Sequence, residues 1–156
     1  MQWGYRTGTG SKPVPLSLPI RSFCHALITG ASNSGKSYYI LYALGKLLQD
    51  TPEIEVYFCD FKKSEDFTFL KGYPYYYSGN ECYEGVMKYY ESFCNARQEG
   101  HNKKRHLLVC DEYPAMINYL VTRDKMDKSK RSGDILGAVA EMLMLGRGIA
   151  YGVWIV

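Results

Sequence analysis

The sequence predicts an α/β domain, a parallel sheet with helices on both faces. Three observations predict it. Short apolar runs alternate with longer amphipathic ones along most of the chain. The stretches between the apolar runs are long enough to be crossover helices, which parallel strands require. One junction between an apolar run and a helical run, "GASNSGKS", has the glycine spacing of a phosphate-receiving loop.

The elements follow in order. Residues 1 to 20 contain Gly, Ser, Thr and three prolines with no helical period, and read as a leader ahead of one domain over 21 to 156. "CHALITG" is a short apolar strand. "KSYYILYALGKLLQD" places Ile40, Leu41, Leu44, Leu47 and Leu48 on one helix face. "IEVYFCD" is a second strand, ending on Asp60. "YPYYYSG" is a short aromatic strand in which Tyr75, Tyr76 and Tyr77 fill a half-buried surface near the sheet edge rather than form a stacking platform. Ser78 and Glu81 have the spacing of a capping box, opening a helix expected to pack through Tyr83, Val86, Met87, Tyr90 and Cys94. "HLLVC" is a third buried strand, running into Asp111 and Glu112. "DILGAVAEMLMLG" is an apolar helix stopped by Gly146, and "YGVWIV" is a fourth strand. No internal repeat is present.

Composition narrows the class. A chain of 156 residues supports one well-buried core and is too short for two. A hydrophobic share of 46% with 22% charged residues fits a globular protein and excludes a disordered or fibrous one. The net charge of +3 is too small to imply a nucleic-acid partner by its sum, so the placement of charge matters more. Cys24, Cys59, Cys82, Cys94 and Cys110 form no CxxC pair and read as free thiols, which suits a reducing, cytoplasmic setting. The first twelve residues lack the apolar core of a signal peptide, and no run approaches the ~18 apolar residues of a membrane span. A membrane tether of the parent protein would therefore lie outside this chain.

Gly30-Ala31-Ser32-Asn33-Ser34-Gly35-Lys36-Ser37 matches G-x-x-x-x-G-K-[ST] in full, after a strand and before a helix that begins near Tyr38. Glycines let successive backbone N–H groups converge on one anion, and the helix turns its positive end to the same place. In this reading Gly30 through Tyr38 bind a nucleotide, Lys36 reaches its β- and γ-phosphates, and the Ser37 hydroxyl ligates Mg²⁺. Such a loop serves kinases, GTPases and ATPases alike. The second acidic site helps to choose. Asp111 ends a buried strand, and in a parallel sheet that end opens at the edge where the phosphate loop lies, so Asp111 is expected to complete the Mg²⁺ shell with Ser37. Glu112 follows immediately. A carboxylate there is a base for a hydrolytic water, which a small-molecule kinase does not need. ATP with Mg²⁺ is the expected ligand, with Glu112 and Lys36 as the catalytic pair.

Four blocks, "HALITGASNSGKS", "VYFCDFKKSEDF", "HLLVCDEYPAM" and "MLGRGIAYGVWIV", occur in an order and approximate spacing that resemble the FtsK/SpoIIIE motor domains, in the FtsK–HerA group of RecA-like ATPases. The likeness covers roughly residues 14 to 156. The second block resembles that family's D-P-K stretch through Asp60, Phe61 and Lys62, with Phe61 in place of the proline. The fourth resembles its G-R-A-x-G-I-H-L stretch through Gly146 and Arg147, with Gly148-Ile149-Ala150-Tyr151 departing from the usual pattern. The resemblance implies a RecA-like sheet in which the strand ending at Val156 lies between the phosphate-loop strand and the Asp111 strand. It implies a hexameric ring that moves double-stranded DNA in chromosome segregation or conjugative transfer, with a related branch that drives protein secretion. It also implies a Thr-Gln pair and at least one further strand beyond Val156, so this chain is expected to be a C-terminally incomplete domain that binds ATP without efficient turnover by itself.

The charge is concentrated in one place. "RDKMDKSKR", residues 123 to 131, holds five basic and two acidic residues, which accounts for the whole net charge of +3. In folds of the resembling kind this segment faces the ring axis, where Lys125, Lys128, Lys130 and Arg131 are expected to follow a DNA phosphate backbone by charge alone. It reads as a loop. "NKKR" at 102 to 105 reads as plain surface. Arg147, just after an apolar helix, reads as a complement to that helix's negative end.

Overall fold

The computed structural model describes residues 2–6, 12, 14–17, 24–31, 33–100 and 104–156. Strands β3 (His25–Leu27), β4 (Glu55–Asp60), β5 (Tyr76–Ser78), β6 (His106–Asp111) and β7 (Tyr151–Ile155) form one sheet in the order β3-β7-β6-β4-β5. Every pairing in it is parallel. The predicted order therefore holds, with β7 seated between β3 and β6. Within the leader, β1 (Gln2–Arg6) and β2 (Val14–Ser17) pair as a separate antiparallel two-stranded sheet.

Helices cover both faces. On one side lie α1 (Lys36–Asp50) and a 3₁₀ segment, Glu65–Leu70. On the other lie α2 (Cys82–Glu99), α3 (Tyr113–Asp127) and α4 (Arg131–Leu145). The two-residue period of the central strands sorts their side chains between these layers. In β4, Val56 and Phe58 join Ile40, Leu44 and Leu47 of α1, while Tyr57 and Cys59 face Val86, Tyr89 and Phe93 of α2. In β6, Leu107 and Val109 take the α1 side, and Leu108 and Cys110 take the other. Continuing the alternation by one residue puts both Asp60 and Asp111 on the α1 side, at the carboxyl ends of neighbouring strands. Among the described residues no helix is long and apolar enough to cross a membrane.

Several local expectations are corrected. Ser78 makes no capping hydrogen bond. Gly79 adopts a left-handed φ of 57° and starts a 3₁₀ turn, Gly79–Glu81, so α2 begins only at Cys82 and the capping-box spacing is lost. The buried stripe of α2 runs through Cys82, Gly85, Val86, Tyr89, Phe93 and Ala96, with Tyr83, Met87, Tyr90 and Cys94 at its margins. Gly85 explains the shift: a Cβ there would sit 2.5 Å from the Tyr77 ring, so the helix approaches the sheet edge on that face.

The basic segment is not a loop. Residues 123–127 are the last turns of α3, 128–130 a tight connection with Lys128 at φ 56°, and Arg131 opens α4. The Asp124 carboxylate accepts from the Ser129 and Ser132 hydroxyls and from the Arg131 and Ser132 amides. These bonds hold its carboxyl down at about 2. Arg131 also pairs with Asp127 at 3.2 Å. All five cysteines are free, with Cys59, Cys82 and Cys110 buried and Cys24 and Cys94 half-buried. Of "NKKR", Asn102 and Lys103 lie outside the described residues, and Lys104 pairs with Glu55 at 3.0 Å.

Candidate nucleotide-binding site

The phosphate loop connects β3 to α1. A Cβ at Gly30 would stand 2.5 Å from the Ser34 Oγ, so that hydroxyl packs against the glycine and would have to turn away from any side chain there. Asn33 (φ 60°) and Gly35 (φ 86°) both take left-handed conformations, and the Ser34 amide donates to the Ala31 carbonyl at 3.2 Å. This sequence of turns leaves Gly35 as the N-cap of α1. No side chain caps that helix end and its first turn carries no acidic residue, so its free N–H groups and positive pole await an anion. The Lys36 ammonium folds back onto the loop, donating to the carbonyls of Gly30 at 2.9 Å and Ala31 at 3.1 Å. Ser32 lies outside the described residues.

A cleft of about 400 Å³ opens over this loop. Asn33, Gly35, Lys36, Ser37 and the 75% exposed ring of Tyr38 form one wall. Asp111 and Glu112 form the opposite wall, at the end of β6. The residues expected from sequence to share a site therefore do meet. Gly30, Ala31 and Ser34 belong to the same loop but do not line this cleft. Lys125, Lys128, Lys130 and Arg131 lie apart from the cleft, at the α3–α4 connection.

Asp111 is only 7% exposed. Burial, then the neighbouring carboxylates of Asp60 and Glu112, push its carboxyl up to about 6, against the opposing pull of Lys36 and Lys62. Glu112 is the single residue between a buried strand and a helix that has Pro114 in its first turn. A reversal that abrupt puts Glu112 in the left-handed region, φ 56° and ψ 39°, unfavourable for a residue with a long side chain. Strain of this kind persists where the surroundings enforce it. Here Tyr113 donates its amide to the Val156 carbonyl at 3.1 Å, and the Met116 amide donates to the Glu112 carbonyl at 3.0 Å.

The third side of the cleft has no site role in the sequence reading. Lys62, Ser64 and Asp66, from the segment after β4, complete the lining. Asp60, fully buried, organises that segment: its carboxylate accepts from the Ser64 amide at 3.1 Å and from the Tyr76 hydroxyl at 2.8 Å. The signal that could reveal it is an aspartate ending an apolar strand, the same pattern that singles out Asp111. Arg147 is exposed in the 3₁₀ turn Gly146–Ile149, which directly follows α4 and precedes β7. It therefore lies at the sheet edge opposite the cleft.

Fold and loop together define the class of architecture, a RecA-like α/β fold with a glycine loop joining β3 to α1. No protein-family model matches the chain, and no curated protein matches its sequence. Among solved structures, the chain is similar to the pCW3 conjugation coupling protein TcpA, in a monomer form with ATPγS, at a TM-score of 0.70 and 20% identity. The likeness covers 97% of this chain and 46% of that one, so this chain spans about half of its structural neighbour's length.

Proposed function

We propose that this chain is the ATP-binding and hydrolysing part of a motor that translocates double-stranded DNA, of the FtsK/SpoIIIE type and working as a homo-hexamer. One observation carries the ATPase reading. An uncapped helix end with Lys36 and Ser37 faces Asp111 and Glu112 across a cleft sized for a nucleotide. The neighbour, a conjugation coupling protein holding an ATP analogue, supports both the nucleotide and DNA transfer as the process served.

In this reading the N–H groups at the start of α1 receive the β-phosphate, and Lys36 leaves the Gly30 and Ala31 carbonyls for the β- and γ-phosphates. A divalent cation suits the remaining donors. Asp111 is a buried carboxylate whose charge burial and two like charges disfavour, and the Ser37 hydroxyl lines the same cleft. Asp111 and Ser37 would hold Mg²⁺, which would supply charge neutralisation for the phosphates. Glu112 then accepts a proton from the attacking water as the water oxygen bonds to the γ-phosphorus and ADP leaves. The DNA reading rests on Lys125, Lys128, Lys130 and Arg131, gathered at one helix–helix connection.

ATP turnover of the full-length protein, measured with no phosphoryl acceptor, with and without double-stranded DNA across a salt series, tests this. Acceptor-free hydrolysis stimulated by DNA of any sequence, with stimulation fading as salt rises, is the expected result. Phosphate transfer that requires a small-molecule acceptor contradicts it.

A further inference from the structure

Lys62 stands across the cleft from Glu112, its Nζ 3.8 Å from Oε1. That distance is beyond a hydrogen bond but well within charge attraction. The pair is open, with side chains 72% and 39% exposed, so it contributes little to stability and can be exchanged at small cost. The backbone under Lys62 is constrained from four directions. The Phe61 ring packs on Tyr119 of α3, with centroids 5.6 Å apart. Lys63 takes a left-handed φ of 59°, and its stem lies over Gly79, where a Cβ would meet it at 2.4 Å. Ser64 is held by Asp60, which is held in turn by Tyr76. The Ser64 hydroxyl also accepts from the Asp66 amide at 3.3 Å, starting the next turn. The fold thus fixes this lysine at the mouth of the nucleotide cleft, opposite a glutamate that is itself in an unfavourable backbone conformation.

We propose that Lys62 is a positioning residue for Glu112 whose partner depends on the nucleotide, an inference that rests on the ATPase reading above. In the empty cleft the ammonium holds the glutamate carboxylate. The γ-phosphate of ATP, more highly charged than one carboxylate, draws the ammonium away and leaves Glu112 free to take a water proton. ADP lacks that phosphate and leaves the pair intact. Lys62 thereby couples the presence of the third phosphate to the availability of the base. No residue has to move more than a side chain.

The test uses the full-length protein and compares the unaltered chain within it with Lys62→Gln, Lys62→Arg, Glu112→Gln and the Lys62→Gln/Glu112→Gln double variant. Affinities for ATPγS and ADP are measured with Mg²⁺, and kcat and KM for ATP are measured on the same proteins. In Lys62→Gln, ATPγS affinity is expected to fall about tenfold, as for one missing charge-assisted hydrogen bond, while ADP affinity stays within about twofold. KM for ATP should rise with it while kcat stays within about threefold, because the base is then always free, and Lys62→Arg should restore the affinity, since Arg keeps the charge. Glu112→Gln should bind ATPγS up to about fivefold more tightly than the unaltered chain, because the lysine no longer has a carboxylate to leave. That gain should vanish in the double variant, a coupling that a purely structural lysine cannot produce. Equal losses for ATPγS and ADP, a kcat that falls as far as the affinity, or a gain that persists in the double variant would each overturn the proposal. If the unaltered chain hydrolyses ATP while Lys62→Gln matches it in every readout, only this inference falls. If the unaltered chain binds no nucleotide, the ATPase reading falls and takes the inference with it.

Discussion

Asp60 and Asp111 are register partners on adjacent parallel strands, both buried, both pointing to the face that carries the phosphate loop. Two carboxylates brought side by side in a poorly hydrated place repel each other, and their environments divide the work. Asp60 has a hydroxyl and an amide as donors, whereas Asp111 faces the open cleft with a raised pKa. Asp60 is tied into the fold by its donors, whereas Asp111 lines a cleft that suits a cation.

That contrast sets the pH behaviour of the nucleotide-free protein. Folding raises the Asp111 carboxyl from its ordinary 3.8 to about 6, so the protonated form is the one the folded state prefers. The resulting stability is complete below the ordinary value and is lost as pH rises through about 6. Asp111→Asn should remove this loss. Thermal melts of the variant, without nucleotide, should show stability relative to the parent rising from about pH 4 to about pH 7. The same variant should gain less from added Mg-ATP. A stability difference that stays constant across this range would show that Asp111 is not charged at the cost the geometry implies.

Tyr76→Phe tests the other half of the pair. Burial first, and then its bond to Asp60, push the Tyr76 phenol up, so it remains a donor at every working pH. Deleting the hydroxyl leaves one oxygen of a fully buried carboxylate without its donor, at a cost of about 1–3 kcal/mol in chemical unfolding. A cost near zero would mean that Asp60 finds another partner.

Glu112 combines its proposed role as base with a left-handed backbone, and two substitutions separate them. Glu112→Gln keeps the shape and should keep nucleotide binding while turnover falls by about two to four orders of magnitude. Glu112→Gly removes the left-handed penalty and should stabilise the protein by on the order of 1 kcal/mol while also abolishing turnover. A glycine variant that is less stable than the parent would deny the strain.

Much of this site is legible in the sequence because the phosphate loop is contiguous and each of its residues has a local reason. Asp111 and Glu112 are legible because a buried strand has to end somewhere, and paired acids there have few structural uses. The position of β7 is legible through the family resemblance rather than through its own residues. What fails depends on tertiary context. The Ser78 capping box is displaced by Gly79, whose left-handed turn no spacing rule anticipates. Helix α3 lacks a clear apolar period and buries only Met116 and Leu120 along 15 residues. Its end therefore resembles a basic loop in sequence, although Asp124 ties it into the start of α4. Lys62 and Asp60 carry the resemblance but no role of their own, since only the register of β4 against β6 brings them to the cleft.

The basic α3–α4 connection has its own test. Replacing Lys125, Lys128, Lys130 and Arg131 with Gln leaves Asp124 and its serine partners in place, so the connection should keep its form. If these side chains meet a phosphate backbone, the slope of log DNA affinity against log salt should flatten by roughly 0.9 for each phosphate no longer neutralised. Stimulation of ATPase by DNA should fall with it. An unaltered slope with full stimulation would return these residues to solvated surface.

The central claim is that the cleft between the phosphate loop and the end of β6 holds Mg-ATP, and Lys36→Ala tests it most directly. This ammonium bonds the exposed carbonyls of Gly30 and Ala31 and otherwise acts on Asp111 by charge alone, so its loss removes no buried hydrogen bond and the fold should stand. Titration of ATP in the presence of Mg²⁺, by calorimetry on parent and variant, should show affinity falling tenfold or more, about 1.4 kcal/mol or above. Equal ATP affinity in the two proteins would contradict the account.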